Sequence, residues 1–423
     1  MVSVAVKDVA AQAVNISPSH FKGEKVRWMM LVLVLAANGL AHSFFFITFP
    51  ALGRTMGMQD TQTGLVLGLS ALFMTLAAPI WGASSERIGR RPIIITSLVS
   101  AFVLTVLTAV AIKFRLEMAI EVGTVFALLL TLRIVNSVAI AGFKPSVQAY
   151  IADITLHSQR IKGMGVLGAS FGVGTILGGF MAVVFGQNSI LIGFAVVTGI
   201  VFFVAIAAVF CLPESFAQEP EGELKKIATT LTAKIPFQKV WPLLIITVLG
   251  LFAYSTVQQV TALRLQDDFG ISSDQSIRMT GGTMMITMLL MIVMQGFVVR
   301  LMQWTPSKLL VVGASVACVA MTAATFAPTF FTLLATTGLL GIGLGLLLPG
   351  NLAAMSIATG TKAQGKVAGV NAVSQGLGLA AGPVFSSALH QIAPTVPYAV
   401  ASAVCVAMLI LAVYFRRVET KSI

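Results

Sequence analysis

Twelve apolar stretches, each long enough to cross a membrane as a helix, constrain this chain more than any other feature of its sequence. A spanning helix needs roughly 20 mostly apolar residues, and helices are expected because lipid offers no hydrogen-bond partner to open backbone groups. Hydrophobic residues fill 57% of the 423 positions and charged residues only 10%, whereas soluble domains carry about 25% charged residues. The sequence therefore predicts an all-α integral membrane protein with spans at 28–52, 62–83, 93–112, 122–150, 161–186, 189–211, 240–264, 278–299, 308–327, 330–357, 366–391 and 397–415.

The longest polar interruption divides these spans into two sets of six. The predicted organisation is an N-terminal segment, a first bundle, a linker, a second bundle and a tail, at 1–27, 28–212, 213–239, 240–415 and 416–423. If both termini are cytoplasmic, twenty of the 27 Lys and Arg residues fall on the cytoplasmic side, five fall on the other side, and two lie within the fourth span. This bias follows the positive-inside rule. The net charge of +12 is accordingly explained by topology and by contact with anionic lipids, not by nucleic-acid binding.

An internal repeat links the two sets of spans. KGMGVLGASFGVGTILGG at 162–179 aligns with KVAGVNAVSQGLGLAAGP at 366–383. Repeated bundles are typical of secondary transporters, and recurring small residues let membrane helices approach closely. The repeat therefore predicts tight helix packing at Gly174, Gly178, Gly378, Gly382 and Pro383.

One short charged stretch, GASSERIGRRP at 82–92, separates the second and third spans. It resembles the loop signature of the major facilitator superfamily. LTLRIVNSVAIA at 130–141 is similar to the fourth-helix signature of that family, and GASFGVGTILGG is similar to the fifth-helix segment of its drug–proton antiporters, which include tetracycline exporters. One departure is Gly179, which stands where the antiporter motif has proline and weakens the inference of export.

The resemblance implies two pseudo-symmetric six-helix bundles and a gate built on the charged loop. Ion pairs there would hold the cytoplasmic ends of the bundles together when the cavity opens outward, with Asp153 as a candidate partner of Arg90. The predicted gate residues are Gly82, Glu86, Arg87, Gly89, Arg90, Arg91 and Asp153. The alternative is an ordinary positive-inside loop.

The predicted spans contain basic groups at mid-depth but no acidic ones. Arg133 and Lys144 lie eleven residues apart, so at about 100° per residue they share one helix face, together with Asn136 and Gln148. Charges at bilayer depth normally face a watery cavity. We therefore predict contact of both cations with an anionic or zwitterionic cargo. Arg133 could instead be structural or take part in proton transfer, and Lys144 could snorkel toward the cytoplasmic end.

Further polar residues complete the predicted cargo site, namely Tyr254, Gln258, Gln259, Asn351, Asn371 and Gln375. Each of them could instead bond a neighbouring helix. His42 is a candidate for proton coupling, beside Arg133, because an imidazole can take up and release a proton near neutral pH. A hydrogen-bonded packing role for His42 is equally open.

Together these features predict a proton-coupled exporter of a small organic molecule, such as a siderophore or a drug. The alternatives are a proton-coupled importer of an organic acid or sugar and a non-transporting membrane sensor. We expect a monomer in the inner membrane, with small-molecule substrate, protons and lipids as its partners. No enzyme motif, cofactor site, metal spacing or nucleic-acid-binding pattern is expected.

Overall fold

A computed structural model describes residues 18–155, 160–215 and 236–421, so most of the predicted linker and the first 17 residues lie outside it. Within these ranges the chain is almost entirely helical. The helices are α1 (Pro18–Thr55), α2 (Asp60–Ile88), α3 (Arg90–Leu116), α4 (Val122–Ile140), α5 (Phe143–Ile154), α6 (Arg160–Phe185), α7 (Ile190–Cys211), α8 (Phe237–Asp267), α9 (Ser273–Val293), α10 (Val299–Met302), α11 (Pro306–Thr325), α12 (Phe330–His390) and α13 (Val396–Lys421). A π-helical turn, Met294–Val298, joins α9 to α10.

The predicted fold class is confirmed: α1 to α7 form one bundle, the first half, and α8 to α13 form the second half. We call the side where α1 begins, α7 ends and α8 begins the linker face, and the other side the far face. Eleven helical stretches of the described residues are long and apolar enough to cross a membrane. The predicted span at 366–391 lies in α12 but is not among these eleven, since it is rich in glycine and polar residues.

The fourth predicted span is confirmed as one spanning stretch, Val122–Ile154, which is kinked between α4 and α5. The break in the regular helix falls at Ala141 and Gly142, which both keep right-handed helical φ and ψ. Pro145 has no backbone N–H, and its ring would clash with the carbonyl of Ala141 in a continuous helix. Gly142 packs so closely that a Cβ there would lie 2.8 Å from Trp81 and 2.8 Å from Ile93. The break thus follows from a proline and from close packing against α2 and α3.

Helix α12 runs through the tenth and eleventh predicted spans and must reverse its direction between them. Asn351 and Asn371 both bond the hydroxyl of Thr247, at 2.7 Å and 2.8 Å. A straight helix would separate residues twenty positions apart by about 30 Å. The two parts of α12 therefore lie on either side of α8 as separate spans.

The two halves pack tightly at the far face and part toward the linker face. On α6, a Cβ added to Gly179 would lie 2.9 Å from the carbonyl of Gly281 of α9, and on α2 a Cβ added to Gly68 would lie 2.5 Å from the carbonyl of Ala380 of α12. Near the linker face, by contrast, glycines of α2, α6 and α12 and of the π-helical turn after α9 have no neighbouring atom within 4 Å of such a Cβ, as at Gly82, Gly165, Gly168, Gly296 and Gly369.

The hydrophobic core follows the same division. One continuous cluster joins the two halves and contains Phe44, Phe49 and Leu52 of α1 together with Val260 and Leu263 of α8. A separate cluster lies at the linker-face end of the first half and is built on α1, α3, α5 and α7. The two halves consequently contact each other toward the far face and part toward the linker face.

Candidate transport site

Lys144 is the accessible cation of the site. It lies on α5 just after the helix break, is exposed, and places its Nζ 3.9 Å from the centre of the Phe171 ring on α6. Phe171 precedes Gly172, whose added Cβ would lie 2.6 Å from Ile292 of α9. The ammonium group of Lys144 thus lies beside the boundary between the two halves.

His42 of α1 forms an aromatic cluster with Phe46 of the same helix and Phe171 of α6. Its ring centre lies 4.3 Å from that of Phe46 and 6.2 Å from that of Phe171. The described residues form no ion pair with His42 or Lys144. A protonated imidazole would therefore add positive charge to a site that already contains a cation.

Arg133 lies apart from Lys144, inside the first half. Its guanidinium carbon lies 3.8 Å from the ring centre of Phe45, in a cation–π contact. Arg133 and Asn136 line a small cavity of about 30 Å³ between α1, α3, α4 and α7. Both residues are buried, and Arg133 Nε and Asn136 Oδ1 have no hydrogen-bond partner among the described residues. The cavity has room for about one or two waters. His42, which lies near Phe171 and Lys144, also lines this cavity.

Two of the amides predicted to bind cargo instead join helices of the second half. Asn351 Nδ2 donates to the carbonyl of Leu243 at 2.9 Å and to the hydroxyl of Thr247 at 2.7 Å. Asn371 Oδ1 accepts from the same hydroxyl at 2.8 Å. Both amides are buried. In this conformation they connect the two parts of α12 to α8, which was the alternative interpretation of these residues.

Gln259 bridges the two halves. Its Nε2 donates at 3.1 Å to the hydroxyl of Thr63 on α2 and at 3.1 Å to that of Ser387 on α12. The residue is 1% exposed, and its Oε1 has no partner among the described residues. Gln259 thus lies where the two halves are in contact near the far face. It does not border the space between the halves at the linker face.

The remaining predicted cargo residues differ in their accessibility. Gln148 on α5 and Gln375 on α12 are exposed, Tyr254 on α8 is half-buried, and Gln258 is buried. Tyr254 packs against the main hydrophobic core. Gln148 and Gln375 are therefore the amides that, like Lys144, remain accessible in this conformation.

The charged loop between α2 and α3 is tied to its own half at the linker face. Arg90 donates from Nη1 to the hydroxyl of Ser85 at 2.6 Å, and its Nε lies 3.5 Å from Asp153 Oδ2. Glu214 accepts from the backbone N–H groups of Arg90 and Arg91 at the start of α3, at 3.0 Å and 3.2 Å. A carboxylate at that position stabilises a helix N-terminus. The loop therefore fixes the relative placement of α2, α3, α5 and α7.

The other predicted gate residues surround this cluster. Gly89 adopts a positive φ of 103°, and a Cβ there would lie 2.6 Å from Glu214, so glycine is favoured on both counts. Glu86 and Arg87 are exposed, and Arg91 reaches the carbonyl of Val209 on α7. Gly82 borders open space.

The predicted packing glycines lie at equivalent crossings in the two halves. In the first half, a Cβ on Gly174 would overlap the carbonyl of Ala36 on α1, and one on Gly178 would lie 2.6 Å from the carbonyl of Leu40. In the second half, Gly378 and Gly382 make the matching approach to α8 at Val248 and Phe252. Pro383 accepts a hydrogen bond from Ser387 and lies at the crossing of α12 with α2.

Among the described residues, one ion pair and two hydrogen bonds to a carboxylate join the two halves at the far face, and sequence reasoning missed them. Arg54 of α1 bonds Asp267 of α8 at 2.7 Å. Asp274 of α9 accepts from the backbone N–H groups of Gln187 and Asn188, just beyond α6, at 2.8 Å and 3.0 Å. Arg54, Asp267 and Asp274 lie at helix ends far apart in sequence, so no spacing signal could have paired them with their partners.

Two related bundles that pack at one end and part at the other are the architecture of a secondary transporter. The model of the Major Facilitator Superfamily matches residues 31–321 and 303–423, so the chain belongs to this superfamily and is a multi-pass membrane transporter, not an enzyme.

Known proteins resemble the chain in sequence and in structure. Multidrug resistance protein 2 of Bacillus subtilis is 26% identical over 384 residues, which cover 87% of this chain and 90% of the relative. The class E tetracycline resistance protein of Escherichia coli is 30% identical over 205 residues, 47% of this chain and 46% of the relative. A bacterial homologue of the human lysosomal transporter Spinster, solved in an inward-facing and unoccupied conformation, superposes with a TM-score of 0.72 at 16% identity, over 93% of this chain and 96% of that one.

Proposed function

We propose that this transporter exports a small organic anion or zwitterion, such as an acidic drug or a polycarboxylate siderophore, by alternating access and in exchange for protons. The observation that carries the proposal is Lys144, an exposed cation beside the boundary between the halves that forms no ion pair with a described residue. A charge at membrane depth is costly unless it is compensated. A carboxylate on the cargo would supply the opposite charge.

The aromatic surroundings of Lys144 favour a cargo with a flat, unsaturated part. Phe171 presents one face to the ammonium group at 3.9 Å, and Phe46 lies against His42 on the neighbouring helix. Aromatic rings bind other rings through offset or edge contacts. Carboxylate and ring would thus be recognised by adjacent groups, with Gln148 and Gln375 available as further hydrogen-bonding groups.

The open end of the boundary shows from which side this conformation would exchange cargo. The halves are closed at the far face and open toward the linker face. Because most Lys and Arg residues flank the linker-face ends of the helices, the positive-inside rule places this face in the cytoplasm. We accordingly propose that the structure corresponds to the loading state of a monomer in the inner membrane, with both termini cytoplasmic.

The relatives support the same direction of transport. Those found include multidrug and tetracycline resistance proteins and a multi-drug resistance efflux pump of Streptococcus pneumoniae. All three names refer to drug resistance, and one of them refers to efflux. The positive charge of Lys144 suggests that the cargo of this chain carries negative charge.

The test is transport into inverted membrane vesicles that carry an imposed proton gradient. We expect the vesicles to accumulate carboxyfluorescein, an aromatic polycarboxylate, and to exclude ethidium, a lipophilic cation. Lys144→Gln should lower the initial rate of accumulation by about tenfold, equivalent to about 1.4 kcal/mol. Lys113→Gln is the matched control, because Lys113 is an exposed lysine at the far face that lies 3.8 Å from Glu117.

Three outcomes would contradict the proposal. Accumulation of ethidium but not carboxyfluorescein would reverse the charge of the cargo. An unchanged rate in Lys144→Gln would remove Lys144 from the site. Net uptake of carboxyfluorescein by whole cells would favour an importer.

A further inference from the structure

The small cavity inside the first half contains a buried cation without an acidic partner. Arg133 of α4 is 8% exposed, and its guanidinium group forms no hydrogen bond or ion pair with a described residue. This group offers five N–H donors. The ring of Phe45, at 3.8 Å, attracts the cation but carries no net negative charge. The charge of Arg133 is therefore not balanced by any described side chain.

The four helices that enclose the cavity contain no acidic residue near it. Helices α3, α4 and α7 lack Asp and Glu altogether, and α1 contains only Glu24. Glu24 lies eighteen residues before His42, the α1 residue that lines the cavity. That separation corresponds to about 27 Å along a helix. A counter-charge for Arg133 consequently cannot come from these four helices.

The other polar groups of the cavity are suited to an anion. Asn136 lies one turn after Arg133 on α4, is 5% exposed, and leaves its Oδ1 without a partner among the described residues. A half-turn of the side-chain amide would present its NH₂ group to the cavity instead. Asn38, His42 and Thr105 also line the cavity, and each has an N–H or O–H group that can donate.

The size of the cavity limits its occupant. A volume of about 30 Å³ has room for one or two waters, or for one halide ion, which is only slightly larger than a water molecule. Pockets for drug-sized molecules measure about 300–1,000 Å³, so an organic cargo does not fit here in this conformation. Water would satisfy the hydrogen bonds of Arg133 but would bring no charge, and an unpaired buried charge is costly.

We propose that the cavity between α1, α3, α4 and α7 binds one small inorganic anion, chloride in the first instance, as the counter-charge of Arg133. The guanidinium group and the amide of Asn136 would donate hydrogen bonds to it. The inference goes beyond the proposed function, because it concerns a resident ion and not the cargo. With Arg133 compensated in this way, the exposed Lys144 stays available to a carboxylate of the cargo.

The test is the binding of radioactive chloride to the purified full chain, measured by equilibrium dialysis in detergent. Gluconate replaces chloride at constant ionic strength, since it is too large for the cavity. We expect saturable binding of one chloride per chain, displaced by bromide but not by gluconate. In crystals grown with bromide, the anomalous signal should lie within hydrogen-bonding distance of Arg133 and Asn136.

Two substitutions test the role of charge in the cavity. Asn136→Asp supplies a carboxylate one turn from Arg133, where side chains on a helix are neighbours, and this carboxylate should replace the anion. Arg133→Met removes the cation. Both variants should bind chloride at least about tenfold more weakly, as expected for the loss of charge-assisted hydrogen bonds. Gln303→Glu adds the same charge as Asn136→Asp at an exposed position between α10 and α11, and it should bind as the wild type does.

Thermal unfolding gives a second readout that does not depend on Arg133→Met being folded. A ligand that binds only the folded state stabilises it. The wild type should therefore unfold at a higher temperature in chloride than in gluconate. Asn136→Asp contains its own counter-charge and should unfold at the same temperature in both salts.

Three results would overturn the proposal. Absence of saturable chloride binding to the wild type would mean that the cavity holds water only. Binding that is lost in Lys144→Gln but kept in Arg133→Met would assign the anion to the exposed lysine. Full chloride binding by a folded Asn136→Asp variant would show that the anion does not balance the charge of Arg133.

These measurements need no cargo, so their result is independent of the vesicle experiment. Chloride binding that depends on Arg133, in a protein that does not transport carboxyfluorescein, would support the anion site and reject the proposed cargo. The reverse pair of results would reject the anion site alone.

Discussion

The two ends of the boundary between the halves are built from similar residues but are used differently. Both ends contain glycines on α2, α6 and α12 and on α9 or the π-helical turn that follows it, and both are flanked by charged side chains. At the far face the glycines are in contact, and the pair Arg54–Asp267 crosses between the halves. At the linker face the glycines border open space, and the pair Arg90–Asp153 joins elements of one half.

This difference shows what closes such a boundary within a membrane. Lipid is as apolar as the side chains, so association of helices depends on close packing of small residues and on polar contacts. The far face has both features in this conformation. The linker face has the small residues, but they meet no neighbouring atoms here.

The largest effect is expected from a substitution that breaks close packing on one helix. In Gly174→Val, side-chain atoms would overlap the backbone of α1 at Ala36. The backbone of a packed helix cannot move aside as the end of a flexible side chain can. We expect loss of the folded, monodisperse protein in detergent, as measured by fluorescence-detected size-exclusion chromatography. Gly165→Val, nine residues away on the same helix but facing open space, should elute as the wild type does. Equal behaviour of the two variants would show that α1 and α6 do not pack as described.

A smaller effect is expected where the substitution wedges the two halves apart. Gly68→Leu places a side chain against the carbonyl of Ala380 on α12. Overpacking costs about 1–3 kcal/mol, so the conformation that is closed at the far face should lose population by about fivefold or more. Spin labels attached at Ala119→Cys and Phe326→Cys, exposed positions at the far face of the two halves, report this change as an increase in the longer distances between them. Gly82→Leu, at the open end of the same helix, should leave the distances unchanged.

The smallest effect is expected at the linker face, where charge stabilises a helix end. Glu214→Gln keeps a hydrogen-bond acceptor at the start of α3 but removes the charge that favours this position. Because Glu214 is exposed, we expect a loss of about 0.3–1 kcal/mol in the free energy of unfolding. Thermal unfolding in detergent measures the change, and Glu86→Gln, on the same face, is the control. A loss of about 1–3 kcal/mol in the free energy of unfolding, the cost expected for overpacking at Gly68→Leu, would mean that Glu214 stabilises more than the helices of the first half.

Much of the fold could be predicted because its determinants are local. The apolar stretches predicted eleven spans that the structure shows as long apolar helices, and the repeated glycines predicted where α6 and α12 could approach their neighbours. The kink between α4 and α5 was not predicted, although Pro145 signals it in the sequence. A proline in a long apolar stretch shows that the helix can bend there, and packing of Gly142 against α2 and α3 fixes the bend.

The candidate site was less predictable. Arg133 and Lys144 were predicted to face one cavity. In this conformation Arg133 lines a small pocket of the first half, and His42, which also lines it, lies near Phe171 and Lys144. Asn351, Asn371 and Gln259 were predicted to face cargo, and each makes contacts between helices instead. A polar residue in an apolar span shows only that it needs a partner. Whether the partner is a helix or a cargo depends on the neighbouring spans.

By itself, the sequence determined the membrane class, the number of spans, the two related halves and the sign of the charge within the fourth span. These properties follow from composition and from the spacing of residues along one helix. Both are local, because they depend only on residues that are near one another in the sequence. The tertiary structure decided which face is closed, that Arg54 bonds Asp267 across the boundary, and that Lys144 is the accessible cation. Those contacts unite residues up to several hundred positions apart, and only the packing of the two halves brings them within hydrogen-bonding distance.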